Sequence, residues 1–191
     1  TIFLIIQIMT SYLNSVLKEF NYYKYLGDQT IARLNEEQLN FKPDESSNSI
    51  AVLTQHLYGN MKSRWTDFLT SDGEKTWRNR DGEFKINNPS KAALIELWDE
   101  GWKTLLDTIE ALEESDLYKK IYIRNMNHTV IEAINRQLTH YAFHVGQIVF
   151  IGKLILGKQW YSLSIPLNKS ESYNKEKFLK GKRDLHYTDD L

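Results

Sequence analysis

The chain of 191 residues contains no cysteine. That excludes disulfides, a thiolate nucleophile and any Cys-ligated zinc or iron–sulfur centre. A metal here must be held by His, Asp, Glu or backbone groups. An excess of one charge is also missing. Lys and Arg number 24 against 25 Asp and Glu, a formal net charge of −1. No global field therefore points to nucleic acid or to an acidic surface. Long apolar runs are absent too. The stretch IFLIIQIM at residues 2–9 is far too short to span a bilayer. It lacks a basic flank and a small-residue cleavage site, so it is a poor signal peptide. No repeat, low-complexity segment or linker divides the chain, and no Ser–His–Asp set stands out. One domain of a cytoplasmic protein, with neither a membrane nor a nucleic-acid partner, is the expectation.

Apolar residues make up 41% and charged residues 26% of the chain, an ordinary globular balance. Five Trp and eleven Tyr suit a core, a pocket rim or a subunit interface, because aromatics bury a large area and keep a polar tip.

Four segments carry helical periodicity, which predicts an all-α fold with a four-helix bundle. The first runs over about residues 12–34, with Leu13, Val16, Leu17, Phe20, Tyr23 and Leu26 at three- and four-residue spacings. Two readings exist for residues 1–11: an extra apolar turn on this helix, or an extension that precedes a true start at Met9. The second is preferred, because the amphipathic pattern becomes regular only after Met9. The stretch NFKPDESSN at 40–48 reads as a loop. Asn48 or Ser49 can cap a second helix ending near Leu69. Residues 72–89 are long, polar and Gly-containing, and loops of that length are often functional. Ser90 caps a third helix to about Leu112, with its stripe at Leu94, Leu97, Trp98, Trp102, Leu105 and Ile109. KKIYI at 119–123 alternates like a short strand or extended connection, with 125–128 as its turn. Thr129 and Glu132 form a capping box that opens a fourth helix, closed by Gly157. The following WYSLSIP is apolar enough to pack back on the bundle. Residues 169–191 form a polar, lysine-rich tail with a short helix near 175–179 and fraying after Gly181.

The fourth helix contains His140 and His144 at i and i+4, so both imidazoles leave one face about a turn apart. Two imidazoles at that spacing can grip one ion. His56 lies in the second helix amid Ile50, Val52, Leu53 and Leu57. Facing helices of a bundle can bring such a residue opposite an H-x-x-x-H pair. Three neutral imidazoles leave coordination positions open for water or substrate. The plain alternative is that His56 is a core histidine bonded to a backbone carbonyl or to Tyr58. His128, in a turn, and His186, in the tail, are excluded as ligands.

Three stretches carry a resemblance: YYKYLGD, NSIAVLTQHLYGNMKSRWTDFLTSDGEKTWRNRDGEF and AINRQLTHYAFHVGQIVFIGKLI. Over about residues 12–168 the chain resembles the DinB/YfiT-like superfamily of four-helix bundle proteins, and within it a branch of unknown function. The resemblance implies one divalent metal ion bound by one histidine of the second helix and two of the last. Those positions are His56, His140 and His144. It also implies a homodimer in many members, and some relatives that are transferases or isomerases using low-molecular-weight thiols, while many have no known reaction. Zn, Ni, Fe and Mn are not distinguished, since imidazole suits several of them.

Around that set, Asn60 shares a face with His56 and is read either as a partner of bound water or substrate, or as a buried Asn bonded to backbone. Gln147 is read as a support for His144 or as an interhelical hydrogen bond. Arg136 is one turn before His140 and could meet an anionic substrate or form a surface ion pair. Residues 67–84 are read as a lid, with Arg78 or Arg80 gripping a carboxylate or phosphate; as a loop tied by its own ion pairs; or as a dimer contact. No general base stands at the obvious positions, though Glu100 or Asp99 on the third helix could face the site. Two functions follow. One is a metal-dependent enzyme acting in hydrolysis or thiol transfer to a small electrophile. The other is a non-catalytic dimeric stress protein that binds a metal or small molecule.

Overall fold

Ser49, Ser90 and Thr129 each stand in extended backbone just before a helix and accept a hydrogen bond from the amide three residues on. These caps satisfy donors that a helix start leaves unpaired. In a computed structural model describing residues 2–85 and 88–190 (side chains of 2–11 and 190 excepted), they open three long helices. These are α3 (Ile50–Trp65), α4 (Lys91–Glu110) and α5 (Val130–Leu156). A fourth, α1 (Ile2–Ala32), precedes them, and a short α2 (Glu36–Asn40) and α6 (Ser170–Leu179) complete the set. The two readings of residues 1–11 turn on side chains outside the described ones. No helix among the described residues is long and apolar enough to cross a membrane.

The mostly helical fold is organised by pairwise packing of α3 with α4 and α5, and of α1 with α4 and α5. The predicted stripes meet in one core. Phe20 of α1, Trp65 of α3, Trp102 of α4 and Tyr141 of α5 are all buried and stack edge-on or tilted. The polar tips of Trp65 and Tyr141 are satisfied, as burial demands, whereas Trp102 Nε1 is buried without a partner. The Trp65 Nε1–H donates to the Tyr141 hydroxyl at 2.9 Å, which donates to Asn60 Oδ1 at 2.9 Å.

Three boundaries differ from expectation. The first helix ends at Ala32, and α2 begins with its own capping box of Asn35 and Gln38, which brings Leu34 and Leu39 into the core. Helix α3 stops at Trp65 rather than near Leu69, because Asp67 turns to a φ of 51° and its carbonyl accepts from Thr70 and Ser71. Met126, Asn127 and His128, expected in a turn, form the strand β2 (Met126–Thr129) antiparallel to β1 (Lys120–Ile123). The turn itself is Arg124–Asn125, with φ of 56° and 59°, the backbone that two-residue hairpins require.

The hairpin anchors the long connection from α3 to α4. Asp72 accepts from the amides of Arg124 and Asn125, and the Gly73 amide donates to the Tyr122 carbonyl. A 3-10 turn at Asp81–Phe84 then packs on α3. At the other end, the Arg33 guanidinium lies over the Trp160 and Tyr161 rings, so the start of this stretch contacts the bundle while Tyr161 and Ile165 stay exposed. Residues 186–189, expected to fray, instead lie along α1. The Tyr187 hydroxyl donates to Glu19 at 2.7 Å, and Lys18 pairs with Asp189 at 2.6 Å.

Candidate metal centre

The i, i+4 spacing on α5 puts the His140 and His144 rings one turn apart, and α3 packs alongside with His56 facing them. The Nε2 atoms of His56 and His140 are 3.4 Å apart, and those of His144 and His140 are 3.1 Å apart. One nitrogen from each ring lies within 4.8 Å of the others. Two nitrogens each about 2.1 Å from one ion lie roughly 3.0–3.4 Å apart at octahedral to tetrahedral angles. The two separations that involve His140 fall in that band.

The protonation pattern fits a cation better than it fits mutual hydrogen bonds. His56 Nδ1 meets the Glu83 carboxylate at 2.9 Å, and His144 Nδ1 meets Gln147 Oε1 at 2.9 Å. Both partners only accept, so both Nδ1 atoms carry the proton and a neutral ring leaves its Nε2 lone pair free. Two lone pairs therefore aim at His140, whose Nε2 can donate to one of them at most. His140 Nδ1 is buried and has no hydrogen-bond partner. Burial holds the His140 imidazole far below its usual range, at about 3, and His144, His56, Arg64 and Arg78 add to the effect. Burial also lowers His144, against the opposing pull of its Gln147 hydrogen bond. Both rings are thus neutral at pH 7, the state in which imidazole ligates.

Glu83 is the residue that the sequence pattern did not single out. Burial disfavours its ionisation, but hydrogen bonds from His56 and Arg78 prevail and keep the carboxyl below its usual range. Arg78 grips it from Nε at 2.8 Å and a terminal nitrogen at 3.0 Å. A carboxylate behind a ligating histidine fixes the ring and raises its basicity. The approach depends on Gly59, since a Cβ there would sit on the Glu83 carboxylate, 2.6 Å from Cδ. Phe84 covers His56 with ring centroids 4.8 Å apart. The missed signal was the need of a buried His56 Nδ1–H for an acceptor near an unusually placed glycine.

The remaining residues separate clearly. Gln147 Oε1 lies 2.9 Å from His144 Nδ1, one turn along the same helix. Asn60 bonds to the Tyr141 hydroxyl rather than to backbone. Arg78 is spent on Glu83 and Glu74 in a loop tied by ion pairs, which also include Arg64–Glu74 at 3.0 Å. Arg80 and Arg136 line a cavity of about 270 Å³ at the three histidines, together with Arg64 and Arg124, which the sequence reading did not single out. Asp99 and Glu100 do not reach this cavity. They pair with Lys24 at 2.9 Å and Lys62 at 3.0 Å, on the exposed side of α4. His128 accepts from Arg136 at 2.9 Å, and His186 lies in the tail segment along α1; both are apart from the cluster.

Among curated proteins none matches the chain significantly. Residues 7–169 match the family described as a protein of unknown function, DUF1572. That match takes in α3, α4 and α5, most of α1 and the three histidines, and the chain belongs to this family.

Proposed function

We propose that the chain is a metal-dependent enzyme of the DinB-like four-helix bundle superfamily, with its metal-binding unit at residues 12–168. His56, His140 and His144 hold one divalent ion, and the reaction is hydrolysis or thiol transfer to a small electrophile. The observation that carries this is the convergence of three Nε2 atoms beside an open cavity, with two of the outer N–H groups held by Glu83 and Gln147. A structural site is closed by four protein ligands, whereas a catalytic one keeps a position for water or substrate. A divalent ion there would act as a Lewis acid and lower the pKa of water or a thiol reaching it. The chain's own residues would keep His140 and His144 neutral, orient His56 and His144 through their Nδ1 partners and exclude bulk water beneath Phe84. The surrounding guanidiniums favour any anionic form of a bound group.

The test is elemental analysis of the protein purified without a His tag, beside His144→Ala, followed by a thiol-transfer and hydrolase panel. Ala keeps the helix, so the variant should retain its circular dichroism and lose the metal. Unchanged metal content in His144→Ala would refute the three-histidine centre. One observation favours the non-catalytic alternative: no carboxylate lines the cavity among the described residues, so a general base is not evident. Metal-bound protein with no activity across the panel would support it.

The cytoplasmic homodimer belongs to the same reading. Phe143, Phe150 and Leu154 form an exposed apolar stripe on α5, beside an open groove of about 570 Å³. Apolar and aromatic surface of this kind suits an interface between two copies. Light scattering should return twice the 22.5 kDa chain mass, and Phe150→Arg should shift it to the monomer. A wild-type mass of one chain at micromolar concentration would reject the dimer.

A further inference from the structure

Five guanidiniums, those of Arg64, Arg78, Arg80, Arg124 and Arg136, line the cavity over the three histidines. Among the described residues, no carboxylate lines it. The inner two are committed. Arg64 donates to the Gly73 carbonyl and pairs with Glu74, and Arg78 grips Glu83 and Glu74. Their side chains are almost fully buried.

The outer three are different. Arg124 reaches Glu74 with one nitrogen at 3.3 Å, and Glu74 is already shared by Arg64 and Arg78. Arg80 lies 4.0 Å from Asp81, a residue held out in solvent. Arg136 donates one hydrogen bond to the uncharged Nε2 of His128. Each guanidinium has five N–H donors in a fork that matches two oxygens of a carboxylate or phosphate. Most of these donors are uncommitted to any partner in the chain.

Their origins argue against a chance run of charge. Arg80 comes from the connection after α3, Arg124 from the hairpin turn, and Arg136 from α5. Arg124 holds a φ of 56°, a backbone region that favours Asn, Asp or Gly in such a turn. The fold keeps an arginine there although a better turn residue exists. Like charges converging on a cavity repel, and an anion at their focus removes the repulsion.

We propose that Arg80, Arg124 and Arg136 form an oxyanion-binding mouth for a small molecule bearing a carboxylate or phosphate. The anionic end docks on the three guanidiniums and the rest of the molecule extends towards His56, His140 and His144. The volume of about 270 Å³ limits the ligand to a small metabolite, below the usual range of drug-sized sites. This deepens the metal-enzyme reading, on which it rests for what the anion is brought to.

The test uses tag-free full-length protein stripped of metal with a chelator and then desalted. Inorganic phosphate and succinate are titrated separately by calorimetry, with chloride setting a constant ionic strength. One of the two should bind saturably at one site per chain, and which one does so identifies the phosphoryl or carboxyl class. Arg80→Gln, Arg124→Gln and Arg136→Gln should each weaken binding by about tenfold, in line with losing one charge-assisted contact. Side chains of Arg80 and Arg124 are 51% and 56% exposed, so circular dichroism should be unchanged. Absence of saturable binding by either anion overturns the proposal, as do three variants that bind like the wild type. Phosphate that binds only after metal is restored, with the arginine variants unaffected, also overturns it and leaves the metal reading intact. Arginine-dependent binding in a protein that takes up no metal supports the mouth and removes the metal enzyme.

Discussion

The histidines of the centre are not equivalent. His56 and His144 each have a partner at Nδ1, whereas His140 has none and is held by burial in its neutral form. The consequence for stability without metal follows from proton counting. An unfolded imidazole titrates near 6.5, while folded His140 titrates at about 3 and His144 is also depressed. Between those values the unfolded chain binds more protons than the folded one, so stability falls as pH drops through that window. Chelator-treated protein should therefore melt at progressively lower temperature as pH is lowered from about 6.5. His140→Gln should flatten that slope, because glutamine does not titrate. A melting temperature independent of pH between 7.5 and 5 would contradict the burial of a neutral His140. The sequence located these three residues through spacing and resemblance. It could not assign their tautomers, because those depend on Glu83, which is 27 residues from His56 and arrives through a loop.

At the scale of elements, most of what positions the site was legible. The caps at Ser49, Ser90 and Thr129 and the stop at Gly157 are local chemistry, readable within four residues. The stripes of α1 and α4 are periodic and face the core. The hairpin turn and the loop that it anchors were not legible. Arg124–Asn125 is not a typical turn dipeptide, and Asp72 binds its amides from more than fifty residues away. The role of Gly59 was hidden for the same reason. Within a helix interior, Gly→Ala ordinarily stabilises by up to about 1 kcal/mol. At position 59 the added methyl would meet Glu83 instead. Gly59→Ala should therefore leave far-UV helicity unchanged or higher while weakening metal affinity by about tenfold or more, the usual effect of losing such a support. In a Glu83→Ala background the same substitution should have no further effect on metal affinity, since the group it displaces is already gone. Full metal affinity in the single Gly59→Ala variant would show that Glu83 is not what orients His56.

For the molecule as a whole, the centre joins two helices that belong to different parts of the chain. His56 lies on α3, and the other two histidines lie on α5, 84 residues further along by the contact to His140. Around them the packed core supplies the bulk of stability, with Phe20, Trp65, Trp102 and Tyr141 at its centre. An ion held by all three histidines exists only in the folded state, because the unfolded chain does not bring them together. Its binding free energy then adds to folding by mass action. At a free metal concentration one hundred times Kd the gain is about 2.7 kcal/mol. For a chain of this size that corresponds to a rise in Tm of roughly 5–10 °C. Protein stripped of metal should melt lower by that amount and recover when a divalent ion is restored. His144→Ala should melt near the stripped wild type and gain little from added metal, because two imidazoles make a weaker site. Scanning calorimetry across Zn, Ni, Fe and Mn would also rank the ions, since each shift reports the affinity of the same three ligands. If the Tm of the wild type is unmoved by every one of these ions at millimolar concentration, the three converging nitrogens do not form a metal site.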